Sequence, residues 1–291
     1  MLETLPQLIV TGILAGGVYG LLAMGLTLQY GVCRVLNITH GEFVMLSAVL
    51  TFTLCSELGI NPLVAAAITG PFMFVIGFLF QIILYRFLRA RSPSQPVFEG
   101  SALLVAFGLM YVILFIAQNE WGGLRLPVYW LTQKVMFAGM TLFLNQIVAF
   151  AVSVALGVAI HLFLSHSRLG RAIRATAEDP ATAGLMGVNT NMILAVCFGL
   201  GALLAGIAGP LSAMITAPST TMGFQNTVIA LIVVVLGGLG SVPGSFIAGI
   251  IIGIVSLLVM GLWKPILTVP VYYALLMILL LVRPAGLLGK K

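Results

Sequence analysis

Between residues 6 and 282 the chain is a succession of apolar runs, several of them about 20 residues long and free of charged side chains. A run of that length crosses the hydrocarbon of a bilayer as a helix. The runs are continuous rather than alternating, which argues against a closed barrel. With 61% hydrophobic and 7% charged residues, a water-soluble globule is excluded. The expected fold is all-α. It is a polytopic transmembrane helix bundle of eight or nine spans, forming one domain over 1–291.

Full spans are expected at about 6–29, 40–57, 62–85, 101–118, 141–164, 192–216, 244–262 and 266–282. A further run at 226–239 has only about 14 residues, too few to cross as a helix. It ends in GGLGSVPG (237–244), which breaks helices. One span is therefore expected to be short or broken near 226–244. Such a segment is tolerated in a bilayer when it is buried against protein.

Charge sets the orientation. Arg86, Arg89 and Arg91 mark 86–99 as a cytoplasmic loop, and Arg168, Arg171 and Arg174 mark 165–191 as another. Counting back puts the N-terminus outside. Arg283, Lys290 and Lys291 fall inside only if 226–239 crosses, so eight and nine crossings both stay open. The net charge of +6 lies in loops and near the C-terminus, where it faces anionic lipid and implies no nucleic acid. The first apolar run lacks a basic leader and reads as a retained span. Cys33, Cys55 and Cys197 lack metal or disulfide spacing. Gly12, Gly16 and Gly20, and later Ser245, Gly249 and Gly253, recur every four residues. That spacing lets helices approach closely, within the chain or against a neighbouring subunit.

Three segments could carry function. The first is the cytoplasmic loop 165–191, where the three arginines share a helical face continuing from the preceding span. Asp179 and Pro180 form an N-cap with proline at the first helical position. A second short helix follows over 181–186. Exposed small residues such as Ala183 cover it, Leu185 and Met186 stand out as apolar pegs, and Gly187 stops it. An ordinary interfacial hairpin is the alternative.

The second is LNITHGEFVML (36–46), which places Asn37, His40 and Glu42 at a bend, either lining a translocation path or capping an interfacial turn. The third is the glycine bend with Gly237, Gly238 and Gly240, either a tight packed turn or a site where backbone dipoles meet a solute. His40 and Glu42 do not share a helix face, and His161 and His166 lack partners, so no metal site is expected. No GxxxxGK[ST] is present, nor a GxSG-like or HExxH arrangement, and no cofactor or catalytic residue is implied. The spans hold almost no ionisable groups to couple an ion gradient.

On LNITHGEFVML (36–46), SRLGRAIRATAEDPATAGLMGVNTN (167–191), GGLGSVPGSFIAGIIIG (237–253) and RPAGLLGK (283–290) the chain resembles the branched-chain amino acid ABC transporter permeases, the LivH-type membrane subunit. It departs from that pattern at Thr39, where a small residue is expected. The resemblance implies a multi-pass permease of a bacterial-type inner membrane, embedded in membrane lipid, and not an enzyme. Its implied partners are a second, LivM-like permease, two cytoplasmic ABC ATPases and an extracytoplasmic solute-binding protein. Loop 165–191 becomes the coupling loop, with Glu178, Asp179, Pro180, Ala183, Leu185 and Gly187 seated on an ATPase. The same layout serves urea and amide importers. From the residues alone, a stand-alone channel or secondary carrier is the competing class.

Overall fold

The computed structural model describes residues 5–122, 128–137, 139–283 and 286–289. Helix α1 (Leu5–Leu28) runs on through a π-turn (Gln29–Cys33), and α2 (His40–Leu58) follows. Helix α3 (Pro62–Phe80) runs through a second π-turn (Gln81–Tyr85) into α4 (Arg86–Arg91), and α5 (Gln95–Trp121) comes next. A hairpin of β1 (Lys134–Phe137) and β2 (Met140–Phe143) pairs Lys134 with Phe143 and Phe137 with Met140. Then come α6 (Leu144–His166), α7 (Arg168–Glu178), α8 (Pro180–Leu185), α9 (Thr190–Ile215), α10 (Met222–Gly237), α11 (Val242–Leu262) and α12 (Thr268–Val282).

Among the described residues, eight helices are long and apolar enough to cross a bilayer, counting each continued helix once. Helix α10, with 16 residues, rises only about 24 Å. Its C-terminal end is fixed by its neighbours. Arg89 donates to the carbonyl of Cys33 at 2.5 Å, and the Cys33 thiol donates to Leu194 O at 3.4 Å. A Cβ on Gly31 would lie 3.1 Å from Gly240 Cα. Leu287 N donates to Leu236 O at 2.9 Å and Leu288 N to Gly237 O at 3.1 Å. The ends of α1, α4, α10 and α12 therefore share one face with the starts of α9 and α11. Chain parity then requires α10 to bring the chain back to that face. Among the described residues the bundle thus has eight helices of spanning length and one short helix that returns the chain to that face.

Three expectations need correction. Arg86, Arg89 and Arg91 do not sit in a loop: they lie on α4, a helical extension of α3, because the sequence there contains no breaker before Ser92. Nor does α7 continue α6. Ser167 turns extended (ψ 157°) and its hydroxyl accepts from Gly170 N at 2.8 Å, starting a new helix. The span expected from 141 begins at Leu144, since the hairpin occupies the residues before it.

Helices α1 and α9 form the buried centre, and α5, α6 and α12 leave broad apolar faces outward. The tightest seam is α1 on α11. A Cβ on Gly16 would lie 2.6 Å from Ile250 Cα, and one on Gly12 2.7 Å from Ile254 Cα. Backbones this close exclude any side chain, which is how helices gain van der Waals contact where lipid removes the hydrophobic drive. The four-residue spacing therefore serves packing within the chain.

Candidate functional site

The segment 34–39 is non-helical, and beyond the exposed Arg34 it is largely buried: Val35, Asn37 and Thr39 have almost no exposed surface. Arg34 takes a left-handed conformation (φ 56°) that turns the chain back into the bundle. Helix α2 then starts beside Gly25 and Leu22, eight residues or about 12 Å short of the end of the α1 π-turn. Irregular backbone at this depth needs partners for every polar group, and neighbouring helices supply them. Asn37 Nδ2 donates to Gln29 Oε1 at 3.0 Å, and Gln29 Nε2 donates to Phe198 O at 3.1 Å. Thr39 Oγ1 donates to Ala106 O at 2.8 Å. Thr227 of α10 accepts from Gly41 N at 3.0 Å and donates to Ile38 O at 2.8 Å.

His40 Nε2 lies 2.9 Å from Leu22 O, so that nitrogen carries the hydrogen. Its Nδ1 has no partner. The Glu42 carboxyl rests directly on Gly223, and its Oε2 has no partner. Helices α2 and α10 touch backbone to backbone here, since a Cβ on Gly41 would collide with Gly223 O and Thr227.

The second region is the platform α7–α8. Gly170, Ile173 and Thr176 face inward, while Arg168, Arg171, Arg174 and Glu178 are exposed. Asp179 is extended (φ −148°, ψ 102°) and its Oδ1 accepts from Ala181 N at 2.9 Å, while Thr182 Oγ1 donates to Oδ2. Those bonds, the Thr182 hydroxyl first and the Thr182 and Ala181 amides after it, hold the Asp179 carboxyl below its ordinary range. Gly187 (φ 84°) ends the turn, and Asn189 caps α9 by accepting from Met192 N at 3.2 Å. Helix α7 packs on the π-turn 29–33 as well as on α9.

A family model described as the permease component of the branched-chain amino acid transport system matches residues 8–282. The chain belongs to this family. BraD of Pseudomonas aeruginosa, a high-affinity branched-chain amino acid transport system permease protein, is 31% identical over 98% of this chain and 95% of its own. LivH of Escherichia coli, named likewise, is 30% identical over the same shares. The ribose import permease RbsC of Escherichia coli is 34% identical, but over 32% of this chain. No solved structure matches.

In this permease the expected site residues separate into three places. Asn37, His40 and Glu42 do form one buried seam. Gly237, Gly238 and Gly240 do not join it: they lie ten residues beyond Thr227 on α10, about 15 Å along the helix. Gly238 meets Gly286 of the returning tail, and Gly240 meets Gly31, so close packing within the chain occupies this bend.

On the platform, Leu185 and Met186 are 88% and 82% exposed, whereas Ala183 is 4% exposed and turned inward. The expectation that Ala183 lies on the outer surface is therefore wrong. A helix of six residues can present only one face, and Asp179 and Val188 fix which one: Ala183 N bonds Asp179 O at 3.0 Å, and Val188 N bonds Ala183 O at 3.1 Å. Sequence reasoning missed Gln29, Gly223, Asn226 and Thr227. Gln29 carried a readable signal, a single amide inside an apolar run. Thr39, the departure from the family pattern, carries a hydroxyl bond to α5 that an alanine could not make.

Asp179→Ala is expected to fray α8 without unfolding the bundle, seen as faster amide exchange over 180–187. The folded Asp179 carboxyl is depressed, so the cap is fully present above the ordinary carboxylate range and weakens as pH falls through it. Protection of these amides, measured relative to the intrinsic exchange rate at each pH, should fall in the wild type below about pH 4, and in the alanine variant it should be low at every pH.

Proposed function

We propose that this permease forms half of the membrane pathway of an ATP-driven importer of branched-chain or other neutral amino acids. A second, LivM-like permease forms the other half. Two cytoplasmic ABC ATPases and an extracytoplasmic solute-binding protein complete it in a bacterial-type inner membrane. The observation that carries the reading is the exposed Leu185–Met186 pair, on a short capped helix at the face that also bears Arg168, Arg171 and Arg174. Exposed apolar pairs ringed by polar residues mark protein contacts. Family membership over 8–282 supports the solute class.

The mechanical route follows from the packing. An ATPase that moves α8 moves α7, which rests on the π-turn 29–33. That turn holds Asn37 through Gln29, and so holds the segment that positions His40 and Glu42. Two states of one packed element, biased by nucleotide in the partner, suffice for alternating access.

The test is ATPase activity and uptake in proteoliposomes carrying the complete complex, with leucine, isoleucine, valine, other neutral amino acids and urea. Branched-chain solutes are expected to stimulate both. Stimulation by urea alone, or transport by this chain without nucleotide, would overturn the reading.

A further inference from the structure

Glu42 is 1% exposed, while Glu57, Glu99, Glu120, Glu178 and Asp179 all reach the surface. A carboxyl inside an apolar bundle is held neutral by a proton or, when ionised, needs a counter-charge, because desolvation of the anion costs several kcal/mol. Among the described residues no counter-charge is supplied. The helices packed on α2 are α1, α3, α5, α9 and α10, and none contains a lysine or arginine. The N-terminal end of α2 offers only a partial positive charge. Its Gly41, Glu42 and Phe43 amides are already bonded to Thr227 and Thr39.

Facing Glu42 across the contact is α10. Asn226 lies one residue before Thr227 and three after Gly223, close to the face of α10 that Glu42 touches. Its Nδ2, a donor, is buried and without a partner. One unpartnered acceptor and one unpartnered donor thus sit on the two helices that meet here.

We propose that Glu42 and Asn226 form the seat for the head group of a zwitterionic solute. Glu42 takes the primary ammonium and the Asn226 amide donates to the carboxylate. The solute's ammonium supplies the missing counter-charge. Urea, being neutral, would leave the acid unpaired. With Gly41 against Gly223 the seat is shut, and it admits the head group when α2 and α10 part. This assignment rests on the amino acid transport reading above and deepens it.

The experiment uses the full complex in proteoliposomes with leucine-loaded binding protein. Glu42→Gln keeps the shape and removes the charge. It should lower leucine uptake about tenfold or more, while co-purification and binding-protein-stimulated ATPase activity persist. Wild-type uptake in this variant would overturn the seat and leave the transport reading intact. Failure of the wild-type complex to take up any amino acid would instead sink the transport reading itself.

A second measurement needs no variant. Dicyclohexylcarbodiimide modifies carboxyl groups in apolar surroundings, and its labelling of Glu42 in the turning-over wild-type complex is read by mass spectrometry. Leucine is expected to slow labelling. Equal labelling with and without leucine, or equal slowing by sodium chloride alone, would overturn the assignment.

Discussion

Replacing Leu185 and Met186 together by aspartate is expected to abolish ATP-driven uptake while the membrane bundle stays folded. Both side chains project from the fold almost completely and touch little of their own chain, so their removal leaves no cavity. If they anchor an ATPase, their loss and the burial of two charges act on the contact alone. Central apolar anchors of this kind contribute about 2–4 kcal/mol, so association should weaken by ~30-fold to 1,000-fold. The readouts are retention of the ATPase during purification and uptake in proteoliposomes, with thermal unfolding of the isolated permease as the control. Unchanged uptake would remove α8 from the coupling route. Ala183→Arg is a different experiment, because the inward position of Ala183 means that it tests the seat of the helix rather than the docking.

Gly16→Ala should destabilise the bundle severely, whereas Gly108→Ala should not. At Gly16 the added methyl meets Ile250 Cα at 2.6 Å and Gly249 O at 2.9 Å, both backbone atoms of a packed helix that no rotamer change can move. The helices must separate, and every contact along the α1–α11 seam weakens with them. Overpacking costs about 1–3 kcal/mol in ordinary cores, and more where the neighbour cannot yield. At Gly108, in α5, a Cβ meets nothing within 4 Å. Alanine there should be neutral or stabilise by up to about 1 kcal/mol through helix propensity. Thermal unfolding in detergent compares the two directly. Equal melting temperatures would mean that the α1–α11 contact does not hold the fold.

The spans were legible because crossing hydrocarbon demands long uncharged runs, and such runs survive almost any packing. The Asp179–Pro180 start and the Gly187 stop were legible because caps are local chemistry. What could not be read depends on distant partners. The residue type of Ala183 does not say that it turns inward: the bonds to Asp179 and Val188 and the contact of α8 with α9 decide that together. Arg89 looks like a loop cation until Cys33, far away in sequence, presents its carbonyl. The glycine bend read equally as a packed turn or a solute site, and Gly31 and Gly286 pack against it. The hairpin over 134–143 is too short to show a period-two pattern above the apolar background. The pairing of the 37–42 segment with Thr227 required knowing that α10 returns through the bundle.

The α1–α11 seam also bears on how the protein is made. Gly16 and its neighbour Gly249 lie far apart in the chain, and a ribosome adding about 5–20 residues per second takes roughly 10–50 s to travel between them. Throughout that interval the first helix is in the membrane with its bare backbone groove open and its partner not yet synthesised. The groove is lined by glycine, so only a helix that is itself narrow there, as α11 is at Gly249 and Gly253, can close on it along its length. The same residues that permit the final close approach thus select its partner by shape.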